Sequence, residues 1–206
     1  MVGRKSRSGL VVVLSLSFGL WASAPVAYGW SQLTCNVSGQ AVKWPTTSVR
    51  YSAFGGSYGS TITASRNAWN NAQSSVTLTV VSPTSGNPHF NVVIANLGNL
   101  MPPGITRKPG TTSSYPGCSG GYWTTGQMET VTNTYDGTGA FRLQNTTVHE
   151  IGHALSLAHN SATFQCNGGP GLGFYSIMYP TLASASGDCK INTPRADDSN
   201  GVNAIY

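Results

Sequence analysis

Residues 148–160 read VHEIGHALSLAHN and hold three of the four histidines in the chain. Helical geometry restricts how these groups can sit. Residues four apart share one face of a helix, so His149 and His153 point the same way, at a spacing that lets two imidazole nitrogens reach one metal ion. Glu150 lies one residue on, about 100° around the helix. That is too far round for a third ligand, yet close enough to reach a water on the metal. Val148, Ile151 and Leu155 form an apolar face that docks the helix on a sheet. His159 comes six residues after His153, and a straight helix would carry it away. The chain therefore has to turn after about Leu155.

Three neutral nitrogen ligands with an open fourth position are what catalytic zinc requires. Such an ion lowers the pKa of its water to near 7 and polarises a carbonyl. Glu150 would then act as general base, taking the proton from that water and passing it to a leaving amine.

The rest of the chain reads as a mixed α/β arrangement without internal repeats. VRYSAF (49–54), VTLTVV (76–81), FNVVIANL (90–97) and METVTNTY (128–135) are β-branched or alternating and read as strands. Residues 60–73 read as a helix with Ser60 as N-cap and with Ile62, Ala68, Trp69 and Ala72 facing inward. Residues 101–126 are rich in Gly, Pro and Ser, and read as a long surface loop with one short strand. A helix is expected from about Leu143 and another over 195–206. His89 follows a proline and is expected at the surface.

Residues 1–29 read as a secretory signal peptide, with Arg4, Lys5 and Arg7, an apolar run over 10–20, and Ala27 and Gly29 at a cleavage site. The expected product is one domain over 30–206, secreted and extracellular; a retained N-terminal anchor is the alternative. The formal charge of +5 falls to +2 without those three cations. This leaves no electrostatic case for nucleic acid or a membrane surface as partner. Cys35, Cys118, Cys166 and Cys189 make an even set in an exported chain, which suggests two disulfides. Three pairings are open. Cys166–Cys189 with Cys35–Cys118 is favoured because the first pair brackets a single loop region. No pair has the CxxC spacing of a metal site. Asn36 and Asn145 begin glycosylation sequons.

The HExxHxxxxxH pattern closely resembles the zinc site of the metzincin metallopeptidases. SIMYP (176–180) resembles their methionine turn, in the form found in the matrixin branch, the matrix metalloproteinase catalytic domains. KWPTTSVRYS (43–52), ASRNAWNNA (64–72) and ADDSNGVNAIY (196–206) resemble the first strand, first helix and last helix of that domain. The resemblance implies an α+β fold, a twisted mixed sheet with an active-site helix and a C-terminal helix. It implies one zinc ion on His149, His153 and His159, Glu150 as catalytic base and acid, and Met178 as the apolar floor. It also implies a monomer that cleaves a protein or peptide lying antiparallel to an edge strand, here expected near residues 126–135.

The chain departs from that family in several places. Ser156 stands where metzincins usually have the glycine that turns the chain toward the third histidine. Only His89 remains for a second, structural zinc, so that site is not expected. Asp136 and Asp188 are nearly the only loop carboxylates, too few for the usual calcium sites. Thr181 and Leu182 follow the methionine turn where a tyrosine is usual, and no latency propeptide is recognisable. A free Cys35 acting as a latency ligand is the alternative to its disulfide. The alternative function is a secreted zinc-containing binding module without turnover.

Overall fold

The computed structural model describes residues 30–35, 38–84, 86–112, 114–135, 137–160, 176–178 and 191–206. The expected signal peptide, Asn36, Asp136, Thr181, Leu182, Asp188 and the expected Cys166–Cys189 bridge lie outside the described residues.

Strand β1 (Ser48–Phe54) runs through a 3-10 turn (Gly56–Tyr58) into helix α1 (Gly59–Asn70). Tyr58, not Ser60, occupies the N-cap, and no side chain caps it. The 3-10 turn supplies the reason: the Tyr58 N–H already donates to Gly55 O at 2.8 Å, so the chain is coiled before Ser60 is reached. Strands β2 (Thr77–Val80), β3 (Phe90–Ala95), β4 (Gly104–Arg107) and β7 (Glu129–Asn133) complete a five-stranded sheet with β1, in the order β2-β1-β3-β7-β4. Neighbouring strands are parallel except for β4, which is antiparallel to β7. Helix α1 packs on β1 and β2, helix α2 (Ala140–Ala154) on β3, β7 and β4, and the two helices pack on each other. A C-terminal helix α3 (Ala196–Ile205) follows. The fold class is α+β with a mixed sheet.

Two expectations about the sheet need correction. β7 is not the edge; it lies between β3 and β4, and among the described residues β4 ends the sheet. The alternation of ETVTN suggests one solvated face, but Thr130 and Thr132 are both buried. The Thr132 hydroxyl instead shares a 2.8 Å hydrogen bond with Thr147 of α2. Residues 101–126 are also more structured than a loop with one strand. They contain β4 and a hairpin of β5 (Cys118–Ser119) and β6 (Tyr122–Trp123). Arg107 pairs with Glu129 directly opposite at 2.8 Å and pins the register of β4. Gly120 and Gly121, at φ +57° and +80°, form the hairpin turn, a geometry that needs positive φ at both positions.

The favoured Cys35–Cys118 disulfide is present and ties this hairpin to the N-terminal segment. His89 is not a surface residue. Its Nδ1 accepts the Arg50 N–H at 2.9 Å and its ring stacks on Trp44 at 5.1 Å, because it sits at the mouth of β3 beside β1. Burial, then the charge of Arg50, holds its pKa down. Asn145 lies inside α2 and donates its amide to Ile191 O, so that sequon is committed to packing.

The core gathers Trp44, Tyr51, Ile62, Trp69, Phe90 and Met128 against the buried side of α2. Val148, Ile151 and Leu155 are fully buried, as the periodicity requires. Two indoles grip α2 itself: Trp69 Nε1–H donates to Val148 O and Trp44 Nε1–H to Ala154 O, both at 2.9 Å. The second satisfies a carbonyl that the helix end leaves without an internal partner. No helix among the described residues is long and apolar enough to cross a membrane.

Candidate metal centre

Helix α2 ends at Ala154, with Leu155 as C-cap, so the chain turns where the spacing of the histidines demands it. Ser156 then adopts φ +76°, the left-handed conformation expected from the glycine of the resembling family. Its N–H bonds back to His153 O at 2.9 Å, and the next N–H, from Leu157, to Gly152 O at 3.0 Å. The N-terminal segment clamps the far side of this turn. Leu33 N–H donates to Ser156 O and Ala158 N–H to Ser31 O, both at 2.8 Å.

The turn brings His159 back to the helix. Its Nε2 lies 3.2 Å from His149 Nε2 and 3.1 Å from His153 Nε2. Among the described residues, these three histidines form a group able to hold a metal ion. The protons decide whether a cation fits. His149 Nδ1 donates to Ile177 O at 2.6 Å and His153 Nδ1 to Leu157 O at 2.8 Å. A carbonyl only accepts, so both Nδ1 atoms carry hydrogen and, in the neutral rings, both Nε2 atoms are bare. His159 Nε2 has at most one proton to share between them. Lone pairs therefore face one another across about 3 Å unless a cation sits among them. This is the donor arrangement of a metal site whose ligands are oriented by backbone carbonyls.

The rings stay neutral for physical reasons. Burial lowers the His149 pKa to about 4, against the opposing bond to Ile177, and the charge of His159 adds to the lowering. His153 is held well below its usual value, first by burial and then by His149. Partial burial also lowers His159. His149 is buried, His153 half-buried and His159 exposed, so the centre is open on one side.

Glu150 is buried beside it. Burial pushes its pKa up to about 8, against the opposing bond from Thr106. The Thr106 Oγ1–H reaches Oε2 at 2.8 Å. A Cβ on Gly104 would come within 2.5 Å of Oε1, so β4 can approach the carboxylate only as glycine. A cleft of about 390 Å³ opens next to Glu150, His153 and His159, walled by Leu33, Ile105, Tyr115, Pro116 and Trp123.

Met178 lies under α2. A Cβ on Gly152 would collide with its sulfur and come within 3.1 Å of Trp69. Residues 176–178 are anchored by α3. Asp198 Oδ1 accepts the Ser176 hydroxyl at 2.6 Å, and Oδ2 accepts the Ile177 N–H at 2.9 Å and the Arg195 N–H at 2.8 Å. Asn160 N–H donates to Met178 O at 2.9 Å.

His149, Glu150, His153, His159 and Met178 thus come together as the motif suggests. The partners of these groups were not visible in the sequence. Thr106, Trp123, Leu33 and Asp198 come from elements 20 to more than 100 residues away and carry no local signal. Gly104 would carry one only once β4 is placed, since a glycine within a strand often marks a close approach.

No protein-family profile matches the chain, and no curated protein matches it. Solved structures do. A chain of the GM1-bound form of the ECX AB5 holotoxin aligns at 14% identity and a TM-score of 0.52, over 84% of this chain and 86% of that one. Two structures of myroilysin align at 18% identity and a TM-score of 0.47, over 80% of this chain and 82% and 86% of theirs. At such identities the likeness to the toxin chain concerns fold alone.

Proposed function

We propose that this chain is a secreted zinc endopeptidase of the metzincin type, nearest in motif to the matrixins. The observation that carries the reading is the trio of Nε2 atoms, two of them stripped of protons by backbone carbonyls, beside a buried carboxylate in an open cleft. His149, His153 and His159 would hold the ion, and the all-nitrogen donor set with an open side suits zinc. Zinc held there supplies Lewis acidity toward water and toward a peptide carbonyl.

The residues of the chain supply the rest. Thr106 holds one oxygen of Glu150, so the carboxylate keeps one orientation. Its raised pKa of about 8 marks an environment that favours taking up a proton; a cation beside it would lower that value and favour the charged carboxylate. Glu150 accepts the proton of the attacking water and returns it to the leaving amine nitrogen. Met178 packs under the ligand helix as an apolar support. An extended peptide would lie along β4, the edge strand, whose outer side takes no partner strand among the described residues. The apolar walls at Leu33, Ile105, Tyr115 and Trp123 favour apolar substrate side chains.

Export is supported by the signal-like residues 1–29 and by a disulfide, which persists in oxidising compartments. The Cys35–Cys118 bond also removes the free thiol that a Cys35 latency ligand would need. The alternative, a metal-holding module without turnover, is motivated by Ser156 and by the lack of a recognisable latency propeptide; of these, Ser156 takes up the turn.

The test is metal analysis alongside hydrolysis of a generic protein substrate by wild type and Glu150→Gln. Hydrolysis should fall by a factor of at least about 100, while zinc stays at about one per chain because the three imidazoles remain. Undiminished hydrolysis in Glu150→Gln would overturn the role of Glu150. A wild type that binds zinc and cleaves nothing across a broad peptide library would favour the binding module.

A further inference from the structure

Three indoles hold the stretch that carries the histidines. Trp69 grips Val148 O and Trp44 grips Ala154 O, both backbone atoms. Trp123 differs, because its Nε1–H donates to a side chain, Ser156 Oγ, at 2.8 Å. Ser156 is the non-glycine residue at φ +76°, and it is completely buried. A residue with a Cβ is disfavoured in that conformation. Glycine would adopt it freely, and alanine would adopt it with nothing in return. Serine adopts it while closing a buried hydrogen bond whose donor has no water to turn to. The Tyr206 side chain hydrogen-bonds with the same residue. Three residues later the chain presents His159.

Trp123 is itself well fixed. Its backbone N–H donates to Lys43 O at 3.0 Å, and it faces Cys118 across the β5–β6 hairpin. Cys118 is bonded to Cys35, which follows directly on the segment that clamps Ser156 and Ala158 through their backbones.

We infer that Trp123 is a positioning residue for His159, acting through the Ser156 hydroxyl. The inference rests on the reading of His159 as a metal ligand. It gives a physical reason for serine where the resembling family has glycine: the turn is held by a long-range side-chain bond in place of intrinsic backbone freedom. It also ties the third ligand to the disulfide-linked hairpin, while His149 and His153 depend on the helix.

Trp123 also lines the cleft, so hydrolysis alone would not isolate this role. The readouts are cobalt and zinc affinity by chelator competition, the visible spectrum of the cobalt form, and melting of the metal-free protein. Trp123→Phe keeps most of the ring and removes the N–H. With Ser156 present it should weaken metal binding about tenfold or more, the usual effect of losing a group that orients a ligand, and shift the cobalt spectrum. In a Ser156→Gly background the same change should leave affinity and spectrum unaltered, because glycine holds the turn unaided. Should Trp123→Phe fail to fold, Ser156→Ala replaces it, keeping the indole and removing its acceptor, with the same weakening expected. Equal losses in both backgrounds would overturn the inference, as would unchanged affinity in Trp123→Phe or in Ser156→Ala. A wild type that binds neither ion would sink the metal reading itself, whereas tight binding that ignores these changes would sink the inference alone.

Discussion

The two halves of the metal centre are built by different physics. His149 and His153 ride on α2, where the i to i+4 spacing sets their relation before any tertiary contact forms. His159 rides on a turn made by one strained serine, clamped from the N-terminal segment by backbone hydrogen bonds and from β6 by an indole. The helical half is local and redundant, since every turn of α2 reinforces its neighbours. The turn half is long-range and rests on a few individual bonds. Damage to the first should act through ligand identity and packing under the helix. Damage to the second should act through the contacts that hold the chain in place.

The largest effect is expected from the ligands themselves. His153→Ala and His159→Ala should each lose both metal and hydrolysis, read by metal analysis and turnover side by side. A His159→Ala variant that keeps its zinc would break the comparison, leaving the turn as scaffold only.

Next comes the disulfide. The Cys35–Cys118 bond spans 83 residues, and a loop of that size is worth about 4.5 kcal/mol by chain entropy, a model-dependent figure. Cys35→Ser with Cys118→Ser should lower the unfolding free energy by about that amount. If the turn depends on the hairpin, metal affinity should fall as well; a stability loss with unchanged affinity would mean that the hairpin serves the fold and not the site.

A smaller effect is expected under the helix. Gly152→Ala puts a methyl into the Met178 sulfur and toward Trp69, and overpacking of this kind costs about 1–3 kcal/mol. Alanine is the better helix former by up to about 1 kcal/mol, so a melt that rises would show that Met178 yields easily.

The smallest concerns Ser156→Gly. Glycine relieves about 1 kcal/mol of left-handed strain, but it strands the buried Trp123 N–H at a cost of about 1–3 kcal/mol. Relief of backbone strain alone would leave the variant neutral or stabilised. With the hydrogen bond counted, a net loss of about 1 kcal/mol is expected in thermal or denaturant unfolding. A clear gain would show that water or another acceptor reaches the indole.

Much of this was legible from local pattern. The helix bearing His149 and His153, its buried face at Val148, Ile151 and Leu155, its end near Leu155 and the need for a turn all follow from a 3.6-residue period. Six strands or helices outside it were read at nearly their observed positions from β-branching, alternation and glycine. Strand order was not legible. Threonines in ETVTN look solvated until Thr147 of α2 is placed against Thr132, so β7 reads as an edge, while the one short strand expected in the loop-like composition of 101–126 gives no sign that β4 takes that edge. His89 looked exposed because neither Trp44 nor Arg50 is near it in the chain.

A helical period is a property of consecutive residues, which is why the spacing of the histidines already specified which nitrogens share a face and that the third must return from beyond the helix. How it returns depended on groups that meet only in the folded chain. Trp123 comes from a hairpin, Leu33 from the N-terminal segment, Thr106 from the edge strand and Asp198 from the last helix. Each forms a hydrogen bond whose worth comes from burial away from water, and burial is decided by packing of the whole domain, not by any stretch of sequence.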